Sequence, residues 1–373
     1  MVYTVPLIVF MDDVSGNISK QWNKHHAIYM SNANLPREML EKEFFVRFVT
    51  SSPNATPMEL MRAMKQSISF VVMQLHPASG DNPMQAEECS HAGLNCNYFC
   101  RTCDAGGTKE FKASEDGYSS LFTSGNLRTP EGTAANIRQQ FEMALKSGAT
   151  EKIKNSVSTT GIRDSASISI INTLVELGKK LRKRAAGTQA MSEADVTAAL
   201  EKEFEELLRG NTIDDTINPL LGMDGLNMHM DTPTEILHTV LLGVVKYFWG
   251  QTVFLLEKAK LMDIFQTRLH SVDTDGLNAP CLGADYICHY KGSLIGKHFK
   301  SLAQVMPFLI YDLVPSTVLD AWTIIGELIV LVWHTNILNT EAYLVSSYTN
   351  VDSRSHADSS LSGEVISNDP GLP

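Results

Sequence analysis

The stretch Val5-Pro-Leu-Ile-Val-Phe-Met-Asp-Asp13 decides the predicted fold. Its apolar and β-branched residues run without a break over residues 5–11, which is typical of a strand buried on both faces of a sheet. No basic segment precedes the run and no small-residue cleavage site follows it, so it lacks the composition of a signal peptide. We therefore expect a central strand that ends in Asp12 and Asp13.

Three more strands and a helix are predicted within the first eighty residues. Thr56 is placed to cap the helix, and Pro57 suits its first position, where a missing N–H leaves no bond unmade. Turn-forming residues, Gly16 and Asn17 among them, separate the first strand from the second. The predicted elements are strands at residues 27–31, 44–50 and 70–75 and an amphipathic helix at residues 58–68.

The order of these elements, three strands, a helix and a fourth strand, is that of the ribonuclease H-like fold. In that fold the first and fourth strands are neighbours, so carboxylates that follow them can share a divalent cation. Asp12, with Asp13 as its alternate, follows the first strand, and Asp81 follows the fourth. Two Mg²⁺ ions held by such acids can activate one oxygen of a phosphodiester reaction and stabilise another. Pro77 interrupts the approach to Asp81, and proline is poorly tolerated in a central strand.

Four of the six cysteines lie close together, directly after Asp81. Without a secretory signal, such a cluster indicates metal binding before disulfides. Tetrahedral Zn²⁺ takes four ligands, and because none is missing here the predicted site is structural. Buried thiols are the alternative. The predicted ligands are Cys89, Cys96, Cys100 and Cys103, with His91 as a spare ligand or supporting donor, and their sulfur atoms are expected within about 4 Å of one another.

Charge is distributed unevenly along a chain whose net charge is -11. This balance excludes a protein that coats DNA by bulk attraction, since phosphate binding needs Lys and Arg. Residues 137–184 nevertheless carry ten basic against four acidic residues, and residues 191–239 carry two against eleven. The basic run is a candidate nucleic-acid contact or, alternatively, a solvated helix end. It consists of Lys179, Lys180, Arg182, Lys183 and Arg184.

Five motifs together resemble one family, the Plavaka-type, CACTA-related DDE transposases of mushroom-forming fungi. They are Asp12-Asp-Val-Ser-Gly-Asn-Ile-Ser-Lys-Gln-Trp-Asn-Lys24, Gly80-Asp-Asn-Pro-Met-Gln-Ala-Glu87, Cys96-Asn-Tyr-Phe-Cys-Arg-Thr-Cys103, Thr232-Pro-Thr-Glu-Ile-Leu-His-Thr-Val-Leu-Leu-Gly-Val-Val-Lys246 and Gly296-Lys-His-Phe-Lys-Ser-Leu-Ala-Gln304. The similarity runs from about residue 5 to about residue 344. It implies a nuclear, RNase H-like enzyme that uses two metal ions to cut and join transposon-end DNA, and it leaves self-association open.

A DDE site needs a third acid on a helix near the first two. Glu235, with Asp231 as its alternate, lies at the start of the predicted helix that carries His238. Both acids also suit the ordinary roles of a helix cap and a first-turn acid. The chain starts at the first strand, and a serine-rich segment at residues 345–373, which predicts disorder, stands where relatives continue. With the interrupted strand before Asp81, these departures lead us to expect a catalytically defective protein.

The sequence as a whole predicts an α/β protein with an incomplete RNase H-like core, a zinc-binding loop and a large, mostly α-helical remainder. The alternative function is that of a non-enzymatic, zinc-containing module that binds nucleic acid or protein. We expect no membrane, because the apolar runs at residues 239–256 and 321–332 are too short or carry charges. We also expect no small-molecule substrate. The predicted regions are a half-core at residues 1–81, a zinc loop at 82–110, a helical insertion, basic then acidic, at 111–230, a second helical region at 231–344 and a tail at 345–373.

Overall fold

The structure, a computed structural model, describes residues 5–15, 24–68, 73–183, 191–273, 283–334 and 337–344. The chain is mixed α/β and mostly helical, as the sequence predicts. It divides into two compact units, Met1–Glu235 and Ile236–Pro373. The turn predicted at Gly16 and Asn17 and the serine-rich segment at residues 345–373 lie outside the described residues.

The sheet belongs to the first unit. Its strands are β1 (Val5–Ser15), β2 (Lys24–Asn32), β3 (Arg47–Ser52) and β4 (Met73–Ser79). Their order across the sheet is β3-β2-β1-β4. β1 pairs antiparallel with β2 and parallel with β4, and β2 pairs antiparallel with β3. The apolar run therefore forms a central strand with a neighbour on each side, as predicted.

Two helices of the first unit lie between sheet strands in the chain, and the others follow β4. Ile137, Phe141, Leu174 and Leu200 are fully buried between the later helices. The helices are α1 (Arg37–Leu40), α2 (Pro57–Ile68), α3 (Asn82–Glu88), α4 (Lys109–Lys112), α5 (Glu115–Ser120), α6 (Pro130–Ala144), α7 (Ala149–Thr160), α8 (Ile168–Arg182), α9 (Glu193–Leu208), α10 (Ile213–Thr216) and α11 (Met228–Asp231).

One face of β1 packs against α2. Leu7, Val9 and Met11 alternate along the strand, and all three are buried in one cluster with the methionines of the helix. The predicted cap of α2 is confirmed, because the Thr56 N–H donates to the Glu59 carboxylate at 2.7 Å and the Glu59 N–H donates to the Thr56 hydroxyl at 3.3 Å. These reciprocal bonds satisfy two N–H groups at the start of the helix.

The third strand begins later than the sequence predicts. It starts at Arg47, whereas Glu43–Phe45 forms a turn of 3₁₀ helix in which the side chain of Phe44 is 72% exposed. The rings of Phe44 and Phe45 pack edge to edge, with their centroids 5.1 Å apart. Aromatic composition favours a strand, but here the two rings contact each other outside the sheet, so the prediction was wrong at this boundary.

Pro77 is accommodated in β4 by a bulge. The pairing with β1 passes from Ile8 opposite His76 to Val9 opposite Ala78, so Pro77 is left out of the ladder. A bulged residue needs no ladder hydrogen bond, which removes the cost of the missing proline N–H. The expectation that Pro77 damages this strand was therefore wrong. The strand is described over Met73–Ser79, and the predicted residues 70–72 lie outside the described part of the chain.

The second unit is helical in its described part. Its core contains Trp249, Phe265, Phe299 and Trp322, all fully buried, and the Trp322 indole N–H donates to the hydroxyl of Thr252 at 2.8 Å. The helices are a π-helical segment at Leu237–Val245, α12 (Lys246–Ala259), α13 (Met262–His270), α14 (Ala284–His289), α15 (Gly296–Ile310) and α16 (Ser316–Val332).

Among the described helices, one is long and apolar enough to cross a membrane. It spans Leu237–Ala259, and its most apolar window has a mean hydropathy of 1.4. The core helix of a soluble protein meets the same criteria. Val245, Trp249 and Leu256 of this helix are buried within the second unit, and 33% of its most apolar window is buried in all.

Candidate functional site

The two acids predicted at the sheet follow neighbouring parallel strands. The last residues paired between β1 and β4 are Phe10 and Ser79. Asp12 and Asp81 each follow two residues later. Because parallel strands run in the same direction, both aspartates lie at the same edge of the sheet. This is the juxtaposition that the sequence predicts for two ligands of a shared divalent cation.

Gly80 allows these two chain segments to approach closely. A Cβ atom at this position would lie 3.0 Å from the carbonyl oxygen of Met11 and 2.9 Å from Cβ of Met84. Carbon atoms in ordinary contact are about 3.5–4.0 Å apart. A side chain would therefore push the chain away from the end of β1, and glycine keeps Asp81 beside it.

Local hydrogen bonds orient both carboxylates. Oδ1 of Asp81 accepts the Met84 N–H at 2.8 Å and so caps α3. Oδ1 of Asp12 accepts the Asp13 N–H at 2.7 Å. Each bond fixes one carboxylate oxygen to the backbone, out of about four acceptor positions that an ionised carboxylate has.

Asp12 and Asp13 lie on opposite faces of β1, because side chains alternate along a strand. Asp13 is in phase with Met11, which is fully buried against α2. Asp12 is in phase with Phe10, which is 37% exposed. Asp12 is thus on the more open face, and Asp13 is on the face that the helices cover.

The two candidates for the third acid have different surroundings. Asp231 ends the short helix α11, and its carboxylate accepts the Asn227 N–H at 2.8 Å. It does not share a helix with His238, so that part of the prediction was wrong: the chain is irregular at residues 233–235, and the next helix begins at Ile236. Glu235 lies directly before this helix and is the last residue of the first unit.

Side chains of α3 and of the cysteine loop, residues 89–108, anchor the chain that leads to Glu235. Each bond satisfies a carbonyl of the segment at residues 228–233. The chain two residues before Glu235 is therefore bonded to the helix whose N-cap is Asp81. The bonds run from Gln85 Nε2 to the Pro233 carbonyl at 2.8 Å, from Cys89 Sγ to the Met228 carbonyl at 3.3 Å and from Arg101 Nη2 to the Thr232 carbonyl at 3.3 Å.

Cys89 lies apart from the other clustered cysteines. Its side chain is buried in the core of the first unit, and its thiol donates to the Met228 carbonyl. Burial raises the pKa of this thiol to about 11. Zinc binds the thiolate, which this environment disfavours at neutral pH. The surroundings of Cys89 are those of a buried thiol, the alternative that the sequence leaves open.

Cys96 and His91 form a neighbouring pair, with Sγ and Nε2 3.9 Å apart. The Nε2–H of His91 donates to the Tyr98 carbonyl at 2.9 Å, and Nδ1 accepts the Gly93 N–H at 3.1 Å. These two bonds assign the proton to Nε2. Burial lowers the pKa of His91 to about 4, so the ring is neutral at physiological pH.

Cys100 and Cys103 form a second pair. Burial raises the pKa of Cys100, but hydrogen bonds from the backbone of Cys103 and Thr102 and from the Cys103 thiol outweigh it and lower the pKa overall. Nε of Arg128 donates to the carbonyl oxygens of Cys100 and Cys103 at 2.9 and 3.0 Å, and its Nη1 donates to the Thr160 carbonyl at 2.7 Å. Arg128 thereby ties the loop to the C-terminal end of α7.

Neither predicted ligand set forms a complete metal site in the part of the chain that the structure describes. No three or more His, Cys, Asp or Glu side chains are grouped there so as to hold a metal ion. The cysteine loop supplies two neighbouring pairs, Cys96 with His91 and Cys100 with Cys103, and the four sulfur atoms do not share one point. The sheet supplies Asp12 and Asp81, and no described residue joins them as a third ligand.

The predicted nucleic-acid contact lies at the C-terminal end of α8, and two of its basic side chains form ion pairs with glutamates of the same chain. Lys179 forms an ion pair with Glu176 at 2.7 Å, and Arg182 forms one with Glu193 at 2.6 Å. Lys180 and Lys183 are exposed, and Arg184 lies outside the described residues. Charge available to phosphate is thus lower than the run of basic residues predicts.

Two buried polar residues of α3 were missed from the sequence. Glu88 is fully buried, neither of its carboxylate oxygens has a hydrogen-bond partner among the described residues, and burial raises its pKa to about 8. Gln85 is 1% exposed, and its Oε1 likewise has no partner. Asp81, Gln85 and Glu88 are spaced by four and three residues, which places them on one helix face, and this spacing is the signal that could have found them.

The carboxylate edge and the cysteine loop are thus adjacent parts of one unit, connected by α3. No family model, curated protein or solved structure matches this chain. Its function is therefore inferred from the residues at this edge and from the motifs in the sequence.

Proposed function

We propose that the first unit is the core of an RNase H-like, DDE-transposase-type protein whose carboxylates bind divalent cations. The observation that supports this most is the position of Asp12 and Asp81 after two neighbouring parallel strands of a sheet ordered β3-β2-β1-β4. The element order of the RNase H-like fold makes the first and fourth strands neighbours, with the acids after them. The family resemblance of the motifs around both aspartates supports the same proposal.

The donor chemistry fits Mg²⁺ or Mn²⁺, which prefer carboxylate oxygens. Asp12 and Asp81 would hold the ion, each carboxylate kept in orientation by one backbone N–H, and Glu235, with Asp231 as its alternate, is the candidate third acid. When bound, such ions lower the pKa of an attacking water and stabilise charge on the phosphate. The open face of the sheet beside Asp12 is where a phosphodiester can approach.

The substrate implied by the resemblance is transposon-end DNA, with a nuclear location. We expect this chain by itself not to cleave DNA, because its charge of -11 opposes the approach of phosphates and two basic residues of its basic run pair with glutamates. A bulge accommodates Pro77, so the strand before Asp81 no longer supports that expectation.

Cation binding is tested by titrating the purified protein with Mn²⁺ and, as a luminescent probe, Tb³⁺. We expect saturable binding that Asp12→Asn and Asp81→Asn each weaken at least tenfold, while Asp13→Asn has a smaller effect. Asp116→Asn is the control, because Asp116 is an exposed acid on α5, far along the chain from the sheet. Equal affinity for all four variants and the unchanged protein would contradict the proposal.

Cleavage is tested separately by incubating supercoiled plasmid with the protein and Mn²⁺. We expect no nicking by this chain alone. Nicking that disappears in both Asp12→Ala and Asp81→Ala would show that the site is active without a partner and that the expected defect was wrong.

We propose as a second candidate that the cysteine loop is a zinc-containing interaction module. The two neighbouring pairs, Cys96 with His91 and Cys100 with Cys103, support it, and these four residues would hold the ion if the two pairs moved together and His91 gave up one of its hydrogen bonds. Zinc bound there would stabilise a loop with few buried apolar residues. Metal analysis is expected to find one zinc per chain, retained in Cys89→Ser and lost in Cys100→Ser. Purified, folded protein without zinc would contradict this candidate.

A further inference from the structure

Two sulfur atoms of the cysteine loop are in direct contact. Cys100 and Cys103 are free thiols in a Cys-x-x-Cys motif, and the thiol of Cys103 donates a hydrogen bond to the sulfur of Cys100. The backbone N–H groups of Thr102 and Cys103 donate to the same sulfur. A disulfide requires two cysteine side chains that point toward each other, and the thiol–thiol hydrogen bond shows that these two do.

Arg128 holds the backbone of this motif in a closed turn. Its Nε donates to the carbonyl oxygen of Cys100 at 2.9 Å and to that of Cys103 at 3.0 Å. One N–H group can serve both carbonyls only if the two ends of the motif stay side by side. The same guanidinium is fixed from the other side, because its Nη1 donates to the Thr160 carbonyl at 2.7 Å. The two thiols are therefore kept together by backbone contacts as well as by their own hydrogen bond.

The two thiols differ in their access to solvent. Cys100 is half-buried, whereas Cys103 is buried, with 6% of its surface exposed. Exchange with a dissolved disulfide begins at the sulfur that the reagent can reach, and a neighbouring thiol then completes it. The exposure of the pair assigns the first step to Cys100 and the second to Cys103.

The other two cysteines of the loop have different partners. The thiol of Cys89 donates to the Met228 carbonyl at 3.3 Å, and that of Cys96 donates to the Tyr98 carbonyl at 3.0 Å. Both thiols are thus directed at backbone oxygens. Among the four clustered cysteines, the thiol–thiol contact belongs to Cys100 and Cys103.

We propose that Cys100 and Cys103 are a redox-active dithiol that is oxidised by small-molecule disulfides. Cys100 loses its proton and attacks one sulfur of the reagent, which breaks the S–S bond, forms a mixed disulfide and releases one thiol that carries the proton. Cys103 then loses its proton and attacks the Cys100 sulfur, which expels the second thiol. The protein gives up two electrons and two protons, the reagent is reduced to two thiols, and a Cys100–Cys103 disulfide remains.

This dithiol is independent of the carboxylate site at the sheet. It excludes the zinc candidate while it is oxidised, because zinc binds thiolates and a disulfide has none. The two chemistries of the loop therefore predict different products from the same reagent.

The test incubates the reduced, purified chain with oxidised glutathione, blocks remaining thiols by alkylation at successive times and maps every cysteine by peptide mass spectrometry. We expect the Cys100–Cys103 disulfide as the first product, formed at least tenfold faster than any modification of Cys96. Cys103→Ser should stop at a mixed disulfide of Cys100 with glutathione, because the second thiol is missing. Cys100→Ser should leave Cys103 unmodified, because that thiol is buried.

Cys96→Ser is the matched control. Cys96 is half-buried like Cys100 and lies in the same loop, so its replacement should leave the product and its rate of formation unchanged. A mixed disulfide that persists on Cys100 in the unchanged protein, equal modification of Cys96 and Cys100, or a disulfide between Cys100 and Cys96 would overturn the inference.

Zinc analysis of the same sample separates this inference from the zinc candidate. A zinc-free chain that forms the Cys100–Cys103 disulfide supports the inference and contradicts the zinc candidate. A folded chain that retains one zinc and forms no disulfide supports the zinc candidate and overturns the inference.

Discussion

Replacing Gly80 by alanine tests whether close packing of two strand ends positions Asp81 in the candidate cation site. The new Cβ would lie 2.9 Å from Cβ of Met84 and 3.0 Å from the Met11 carbonyl oxygen. Against an ordinary carbon contact of about 3.5–4.0 Å, the shortfall at Met84 is about 0.6–1.1 Å. Neither neighbouring atom is the flexible end of a side chain, so the backbone around Asp81 must move away from β1.

Two quantities should change together. Overpacking of this kind costs about 1–3 kcal/mol of unfolding free energy, which corresponds to a fall in melting temperature of several degrees for a unit of this size. Mg²⁺ and Mn²⁺ need carboxylate oxygens close to ideal positions, so a displaced Asp81 is expected to weaken Mn²⁺ binding about tenfold or more.

The assay pairs calorimetric Mn²⁺ titration with thermal unfolding. Gly250→Ala is the control, because Gly250 lies within α12 and a Cβ there would have no heavy atom within 4 Å. Alanine favours a helix over glycine, so this variant should gain about 0.5–1 kcal/mol and keep its Mn²⁺ affinity. A Gly80→Ala protein with unchanged melting temperature and unchanged Mn²⁺ affinity would refute the reasoning.

Four further variants test three separate features. Burial raises the pKa of Glu88 to about 8, so the folded protein keeps a proton that the unfolded chain loses near pH 4.5. This group therefore lowers the free energy of unfolding as the pH rises from about 4.5 to about 8, by up to about 1.4 kcal/mol per pH unit. Glu88→Gln should remove that pH dependence, as measured by urea unfolding at pH 5 and pH 8. Pro77→Ala should change the unfolding free energy by less than about 1 kcal/mol, because Pro77 is outside the ladder, and a larger loss would speak against the bulge. In DNA-binding measurements across salt concentrations, Lys180→Gln with Lys183→Gln should reduce the salt slope by up to about 2, and Arg182→Gln, whose guanidinium pairs with Glu193, should leave it unchanged.

The sequence by itself determined those parts of the fold that depend on short-range pattern. The apolar run of β1 predicts a central strand, and Thr56 with Pro57 predicts the start of α2, since strand burial and helix capping are both encoded by residues close together in the chain. The positions of Asp12 and Asp81 after two strands follow from the same pattern. The first acid pair of the candidate site was therefore predictable from the sequence.

Only the tertiary structure decided what depends on residues far apart in the chain. Pro77 looked incompatible with a strand until the pairing with β1 placed it in a bulge. Four cysteines at zinc-like spacing proved to have different neighbours, because Cys89 contacts a carbonyl 139 residues away. The link from Gln85 to Pro233 spans 148 residues. Spacing along a sequence encodes helix faces and strand ends, but which distant carbonyl a buried donor meets is set by the path of the whole chain.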